Sequence, residues 1–336
     1  MKKTGKTVRR RLIKPGWLLL GMAALDPGLG WAEEPKESPF VTALKSLSLS
    51  GYAQIYAAAW AKDTDTFSLR RARVALSGQL VKHLKFRINI DAIKSPILID
   101  AEVEFEPSRL VGLKFGQFRL PFSFESFYST ADLDMVNRTS VVDTLAPGRD
   151  NGSSGRDIGI ALYGSYAILD YMFGLFNGAG INKTDTNSHK DWSGRVVIRP
   201  VKFLAVGGSL YRGKQSPSAD VPLVRRDKEG LEAVLAIKRF SLRSEYLHAL
   251  DDTMNKAGWY AQAGFFALPG KLQALVRYDF LDLDRAVPDD AKNVITLGFN
   301  WFIQGRTKLQ VNYEIHRLET GGSEESGLLV QFQAGF

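Results

Sequence analysis

The chain has 336 residues, no cysteine and a formal net charge of +8, which excludes disulfides and thiolate metal sites. Residues 1–32 hold seven of the 44 Lys and Arg and one of the 36 Asp and Glu, leaving 37 basic and 35 acidic groups beyond them. That near balance gives nucleic-acid binding no support.

The first basic run (Lys2, Lys3, Lys6, Arg9, Arg10, Arg11, Lys14) leads into an apolar stretch from Trp17 to Leu25 and then Gly30-Trp31-Ala32. This is the layout of a secretory signal over residues 1–32, with cleavage expected after Ala32. The apolar stretch falls well short of the ~20 residues a spanning helix needs. Residues 33–46, polar and carrying Pro35 and Pro39, read as a flexible lead-in.

From 47 to 336 the sequence resolves into sixteen strand-like segments: 47–60, 66–79, 81–92, 97–106, 109–118, 156–164, 167–177, 191–199, 201–212, 230–238, 240–249, 259–268, 271–283, 294–303, 307–318 and 327–336. In the third, Leu84, Phe86, Ile88, Ile90 and Ala92 share one parity, and His83, Lys85, Arg87, Asn89 and Asp91 the other. Strand side chains alternate between faces, so such a segment separates an apolar medium from water. No run after Ala32 is long and apolar enough for a transmembrane helix, so a membrane role requires a closed barrel, the other structure that satisfies every backbone polar group. The pattern predicts an all-β fold, a 16-stranded antiparallel transmembrane β-barrel over 47–336.

The connections alternate between short turns and longer links (61–65, 93–96, 119–155, 178–190, 213–229, 250–258, 284–293 and 319–326). That asymmetry puts the short side in the periplasm. The link 119–155 carries Pro121, Phe122, Phe124, Phe127 and Tyr128, too aromatic for a disordered segment. Long ordered loops carry function, and this one is expected to fold into the barrel as a constriction loop; a flap on the rim is the alternative.

By parity Arg71, Arg73, Lys85, Arg87, Lys114, Arg195, Arg199, Arg243, Arg277 and Lys308 face inward, with Asp100, Glu102, Glu104, Glu106, Glu245, Asp279 and Glu314. Arg and Lys rings select anions, yet lateral pairing of Arg71, Arg73, Lys85 and Arg87 with Asp100, Glu102 and Glu104 would also stabilise neighbouring strands. Both readings stand at this point. Trp60, Tyr163, Tyr171, Trp192, Trp259, Tyr278, Trp301 and Tyr313 suit an interfacial girdle. Leu328, Val330, Phe332, Ala334 and the terminal Phe336 share one parity, an ending that resembles the terminal signature of barrels handled by the outer-membrane assembly machinery. The four histidines lack metal-ligand spacing and no serine is marked as a nucleophile; neither enzyme chemistry nor a cofactor is expected.

The run Gly116-Gln117-Phe118-Arg119-Leu120-Pro121-Phe122-Ser123-Phe124-Glu125 resembles the phosphate-selective porin O and P family. So do Phe67-Ser68-Leu69-Arg70-Arg71-Ala72-Arg73, Ala146-Pro147-Gly148-Arg149-Asp150 and Phe176-Asn177-Gly178-Ala179-Gly180. The resemblance implies a homotrimeric outer-membrane diffusion channel that binds and passes phosphate or related small anions, in contact with membrane lipid and lipopolysaccharide. It assigns Arg70, Arg71, Arg73 and Arg149 to the pore, beside the parity-derived Lys85, Arg87 and Lys114. A weakly selective general porin and a secreted, non-membrane β-barrel binding protein are the alternatives the same pattern allows.

Overall fold

The computed structural model describes residues 46–185, 187–215, 223–318 and 325–336. The signal segment 1–32 and all but the last residue of the lead-in 33–46 lie outside them. Sixteen antiparallel strands follow one another: β1 Ser48–Trp60, β2 Thr66–Val81, β3 Leu84–Asp91, β4 Leu98–Ser108, β5 Val111–Arg119, β6 Arg156–Tyr166, β7 Leu169–Phe176, β8 Asp191–Val201, β9 Leu204–Gln215, β10 Val224–Ile237, β11 Phe240–Asp251, β12 Met254–Leu268, β13 Leu272–Asp282, β14 Lys292–Gln304, β15 Thr307–Leu318 and β16 Glu325–Gly335. Each pairs with its sequence neighbours, and β16 closes on β1 from Tyr52↔Gly335 to Trp60↔Gly327. Phe336 adds a last rung, exchanging both backbone hydrogen bonds with Gly51. Closure leaves no unpaired edge, the condition for crossing lipid with strands.

The two faces of the wall are chemically inverted relative to a water-soluble protein. On β14 Leu297 is 51% exposed and its neighbour Thr296 is fully buried; the same alternation sets Val74 outward and Arg73 inward on β2. The outer face is apolar. Polar residues such as Gln54, Asn89, Asn300, Gln310 and Gln331 fill the inside, where they bond to one another across strands.

Two expectations need correction, and one feature lies beyond the reach of the period. The links 213–229 and 250–258 are largely strand: β10 begins at Val224 and β12 at Met254, so residues 252–253 alone turn the chain between β11 and β12. The outward apolar band of such barrels is only ~25 Å tall, and a strand that outruns it meets water on both faces and need not alternate. Trp60 and Tyr163, placed in the girdle, face inward: Trp60 packs beside the core cluster formed by Ala58, Val136 and Leu329, and the Tyr163 hydroxyl donates to Glu104. Parity already groups them with inward Gln54 and Ala161. Finally, a β-bulge at Arg70 shifts the register between Gln54↔Arg71 and Ile55↔Leu69. The extra residue flips the alternation, so Arg70 and Arg71, adjacent in sequence, both point inward, and Phe67 and Leu69 face out.

Candidate functional site

The segment 120–155 runs inside the barrel. It contains two short helices, α1 at Phe124–Phe127 and α2 at Ser140–Leu145, with a 3-10 turn at Thr130–Asp132 between them. Ser123 and Thr139 cap the two helices by accepting from Ser126 N and Val142 N, which answers donors a helix start leaves without partners. The segment is tied to inward side chains around much of the wall. Ser193 donates to Pro121 O, Phe124 N and Glu125 N donate to the Glu245 carboxylate at 2.8 Å each, Asn300 donates to Asp134 O, and Val136 N donates to Asn312 Oδ1. Gln333 reaches Ala131 O, Arg70 reaches Val136 O and Arg277 reaches Asn137 O. Phe122, Val141, Val142 and Leu145 add a dry contact with Tyr211, Leu247, Tyr260 and Leu281 of the wall. Polar ties spread around the wall and apolar packing together hold one geometry.

The motifs flanking this segment meet in space. Gly116 sits at φ +112, and a Cβ there would lie 2.1 Å from Ala101 O, so only glycine fits. The Gln117 side chain behind it accepts from Asn182 N and donates to Ile99 O. Asp157 accepts from the amides of Gly178 and Gly180, which folds Phe176-Asn177-Gly178-Ala179-Gly180 over the mouth of β5 and β6.

Open space remains along β1–β8. One cavity of about 670 Å³ lies against β1–β5, lined among others by Lys85, Arg87, Lys114, Arg119, Asp100, Glu102 and Glu104. A smaller one adjoining it is lined by Arg73, Arg87, Asn89 and Arg119. Six of the seven candidate cations project from this part of the wall. Arg73 is buried in an ion pair with Asp91 at 3.0 Å. Lys85 pairs with Glu106, and Lys114 holds Glu102 at 3.2 Å and Glu104 as well. Asp100 is taken by Arg156. The acidic run is therefore occupied chiefly by Lys114, Arg156 and Lys85, and the expected pairing of Arg71, Arg73 and Arg87 with Asp100, Glu102 and Glu104 is not the one formed.

That leaves cations without a carboxylate. Arg71 donates one hydrogen bond, to Gln54 Oε1 at 2.7 Å, and its buried Nε has no partner. The Arg87 side chain forms no ion pair or hydrogen bond among the described residues. Arg70 bonds to Val136 O, Asn137 Oδ1 and Gln331 Oε1, all neutral acceptors. Arg119 donates to Phe127 O at 2.6 Å, and Arg138 to Glu125 O and Tyr128 O. In the turn after β3, burial and the charges of Arg73 and Arg71 hold the Lys94 ammonium below the usual lysine value. Burial likewise lowers Arg138, even though Glu125 and Asp143 act in the other direction. At Lys94 the neighbouring Arg73 and Arg71 guanidiniums add a positive field to the effect of burial, and it is that field which favours an anion.

Arg149 is different in kind. Its Nε donates to Ser126 Oγ at 2.9 Å and its Nη1 pairs with Asp143 at 3.0 Å, so it staples α1 to α2 inside the loop, and burial with Arg138 nearby pushes its guanidinium well below the ordinary value. Arg119, Arg138 and Lys94 were not singled out from the sequence. Arg119 shares its parity with inward Gln117 on the same strand, a signal that was available; Arg138 and Lys94 lie in links, where no periodicity points.

The family described as phosphate-selective porin O and P matches residues 50–228 and 218–331. Among solved structures, an anion-selective porin from Comamonas acidovorans superposes with a TM-score of 0.67 at 17% identity, over 87% of this chain and 99% of that one. OmpF of Salmonella typhi, in complex with daunomycin, gives 0.65 at 11% identity, over 86% and 97%. OmpT of Vibrio cholerae in its trimer form gives 0.59 at 9%, over 87% and 99%. At these identities the structural likeness speaks for the fold alone. No curated protein matches the chain.

Proposed function

The chain belongs to the phosphate-selective porin O and P family, and on that premise we propose that its lumen favours phosphate and related small anions over cations. Family and closed barrel make it a porin of the outer membrane, a channel by fold and kinship. The finer reading rests on one observation: the four acids of β4 are satisfied by Lys114, Arg156 and Lys85, and Arg71 and Arg87 are left without a carboxylate. Several separated, incompletely satisfied cations bind an anion weakly at more than one place, which is what passage requires. Arg70, Arg73 and Arg119 add to the field, and Arg149 contributes by holding the loop in shape.

Planar-bilayer recording in a KCl gradient tests this, with an anion-preferring reversal potential and a chloride current reduced by millimolar phosphate as the expected results. Equal permeability to both ions would make the chain a general porin. Residues 1–32 as a signal peptide cleaved after Ala32, and 33–46 as a lead-in, belong to the same proposal, as does engagement of the assembly machinery by the exposed ring of Phe336.

A homotrimer completes the proposal. Ala53, Ala57 and Ala59 face outward on β1, a strip of small side chains that lets barrel walls approach closely. Cross-linking in native membranes should yield a trimer band that collapses to monomer on boiling; a monomer alone argues against it.

A further inference from the structure

A second cavity, of about 470 Å³, lies between the inner wall of β5–β8 and the underside of the loop. Its size suits a small organic molecule, for which sites span ~300–1000 Å³. Its chemistry differs from that of the basic cavity beside β1–β5. Phe124, Phe127 and Tyr128 of the loop roof it, and Met172 and Val197 of the wall close it below. Phe124 and Tyr128 stack with ring centroids 5.0 Å apart, forming a continuous apolar surface.

Charge is present as well. Lys114, Arg195 and Arg199 line the cavity with a single acid, Asp170, which pairs with Arg199. Arg195 sits 5.6 Å over the Phe127 ring and Lys114 lies 5.9 Å from the Tyr163 ring. The carboxylates that hold these two, Glu232 and Glu102 with Glu104, are outside the lining of this cavity. An inorganic oxyanion entering here would lose hydration to walls that offer mostly carbon. An anion with an apolar body faces no such conflict, because the body covers the rings and the charge stays with the cations.

We propose that this cavity is a subsite for small organic anions that join one carboxylate to an apolar ring, of the size of benzoate, separate from the arginine-lined route for phosphate. The proposal rests on the channel reading, though not on its anion selectivity. Lys114 and Phe127 line both cavities, so they mark where the two routes divide.

The test is inhibition of chloride current through the porin in planar bilayers by benzoate and by acetate, which carries the same charge without the ring. Benzoate should act at about tenfold lower concentration, as burial of much of a ring implies. Val197→Trp, which fills the cavity, should abolish that difference and leave the effect of phosphate unchanged. Should that variant fail to insert, Phe127→Ala removes a roof ring without altering the barrel wall, and it should raise the benzoate concentration needed several-fold. Equal potency of the two carboxylates on the wild type, or an unchanged benzoate advantage in either variant, overturns the subsite. Loss of anion preference in the wild type with the benzoate advantage intact would overturn the proposed selectivity and leave the subsite standing.

Discussion

Replacing Arg71 and Arg87 together by alanine is expected to lower the anion-to-cation permeability ratio about tenfold. A unit charge ~6 Å from a passing ion contributes about 0.7 kcal/mol at the dielectric constant of water and about 0.4 kcal/mol after screening at 0.1 M, a factor of about 2 in favour of an anion and about 2 against a cation, so two such charges change the ratio roughly tenfold. These two are chosen because Arg71 has only a neutral partner and Arg87 has none; Arg73, bound to Asp91, should matter far less. The readout is the reversal potential in a salt gradient, at low and high ionic strength. Screening shortens from ~10 Å at 0.1 M to ~3 Å at 1 M, so the effect of the double substitution should shrink in high salt. A ratio that stays at its wild-type value, or a larger loss from Arg73→Ala than from the pair, would refute the arginine mechanism.

Truncating Glu245 to alanine should release the loop. Its carboxylate accepts from Phe124 N, Glu125 N and the Tyr260 hydroxyl, each at 2.8 Å, and the residue is 2% exposed. Leaving buried donors without a partner costs about 1–3 kcal/mol each. A total near 3 kcal/mol multiplies the undocked population by roughly a hundredfold. Single-channel conductance should rise and become noisier, with the barrel still running as a folded, heat-modifiable species on gels because the backbone ladder of the wall is untouched. Glu245→Gln keeps one acceptor and is expected to fall between. A conductance indistinguishable from the wild type would mean that the remaining ties, Asn312, Asn300 and Arg277 among them, hold the loop unaided.

Much of the barrel was legible in the sequence, because lipid on one face and water on the other force a two-residue period onto every membrane-crossing segment. That period located sixteen strands and assigned the inward cations and acids, from Arg71 on β2 to Lys308 on β15, without reference to any partner. It failed where its cause is absent. The charged start of β10, Val224-Arg225-Arg226-Asp227-Lys228, and the residues of β12 before Trp259 present no apolar face, the pattern expected of strand ends that outrun the lipid. It also cannot register a bulge, since one inserted residue at Arg70 changes which side chains face in while leaving the composition of the strand untouched.

What the sequence by itself determined is thus the wall, its number of strands and the polarity of its two faces. Which charges cancel was decided only by the tertiary structure. Asp100 lies one strand from Asn89 and 56 residues from Arg156, yet Arg156 takes it, because β5 and β6 fold back to bring that guanidinium beside β4. The free cations, the aromatic roof over the second cavity and the hold of Glu245 on the loop all depend on where residues 120–155 settle in the lumen. That placement is set by contacts between residues more than a hundred positions apart, and no local period encodes it.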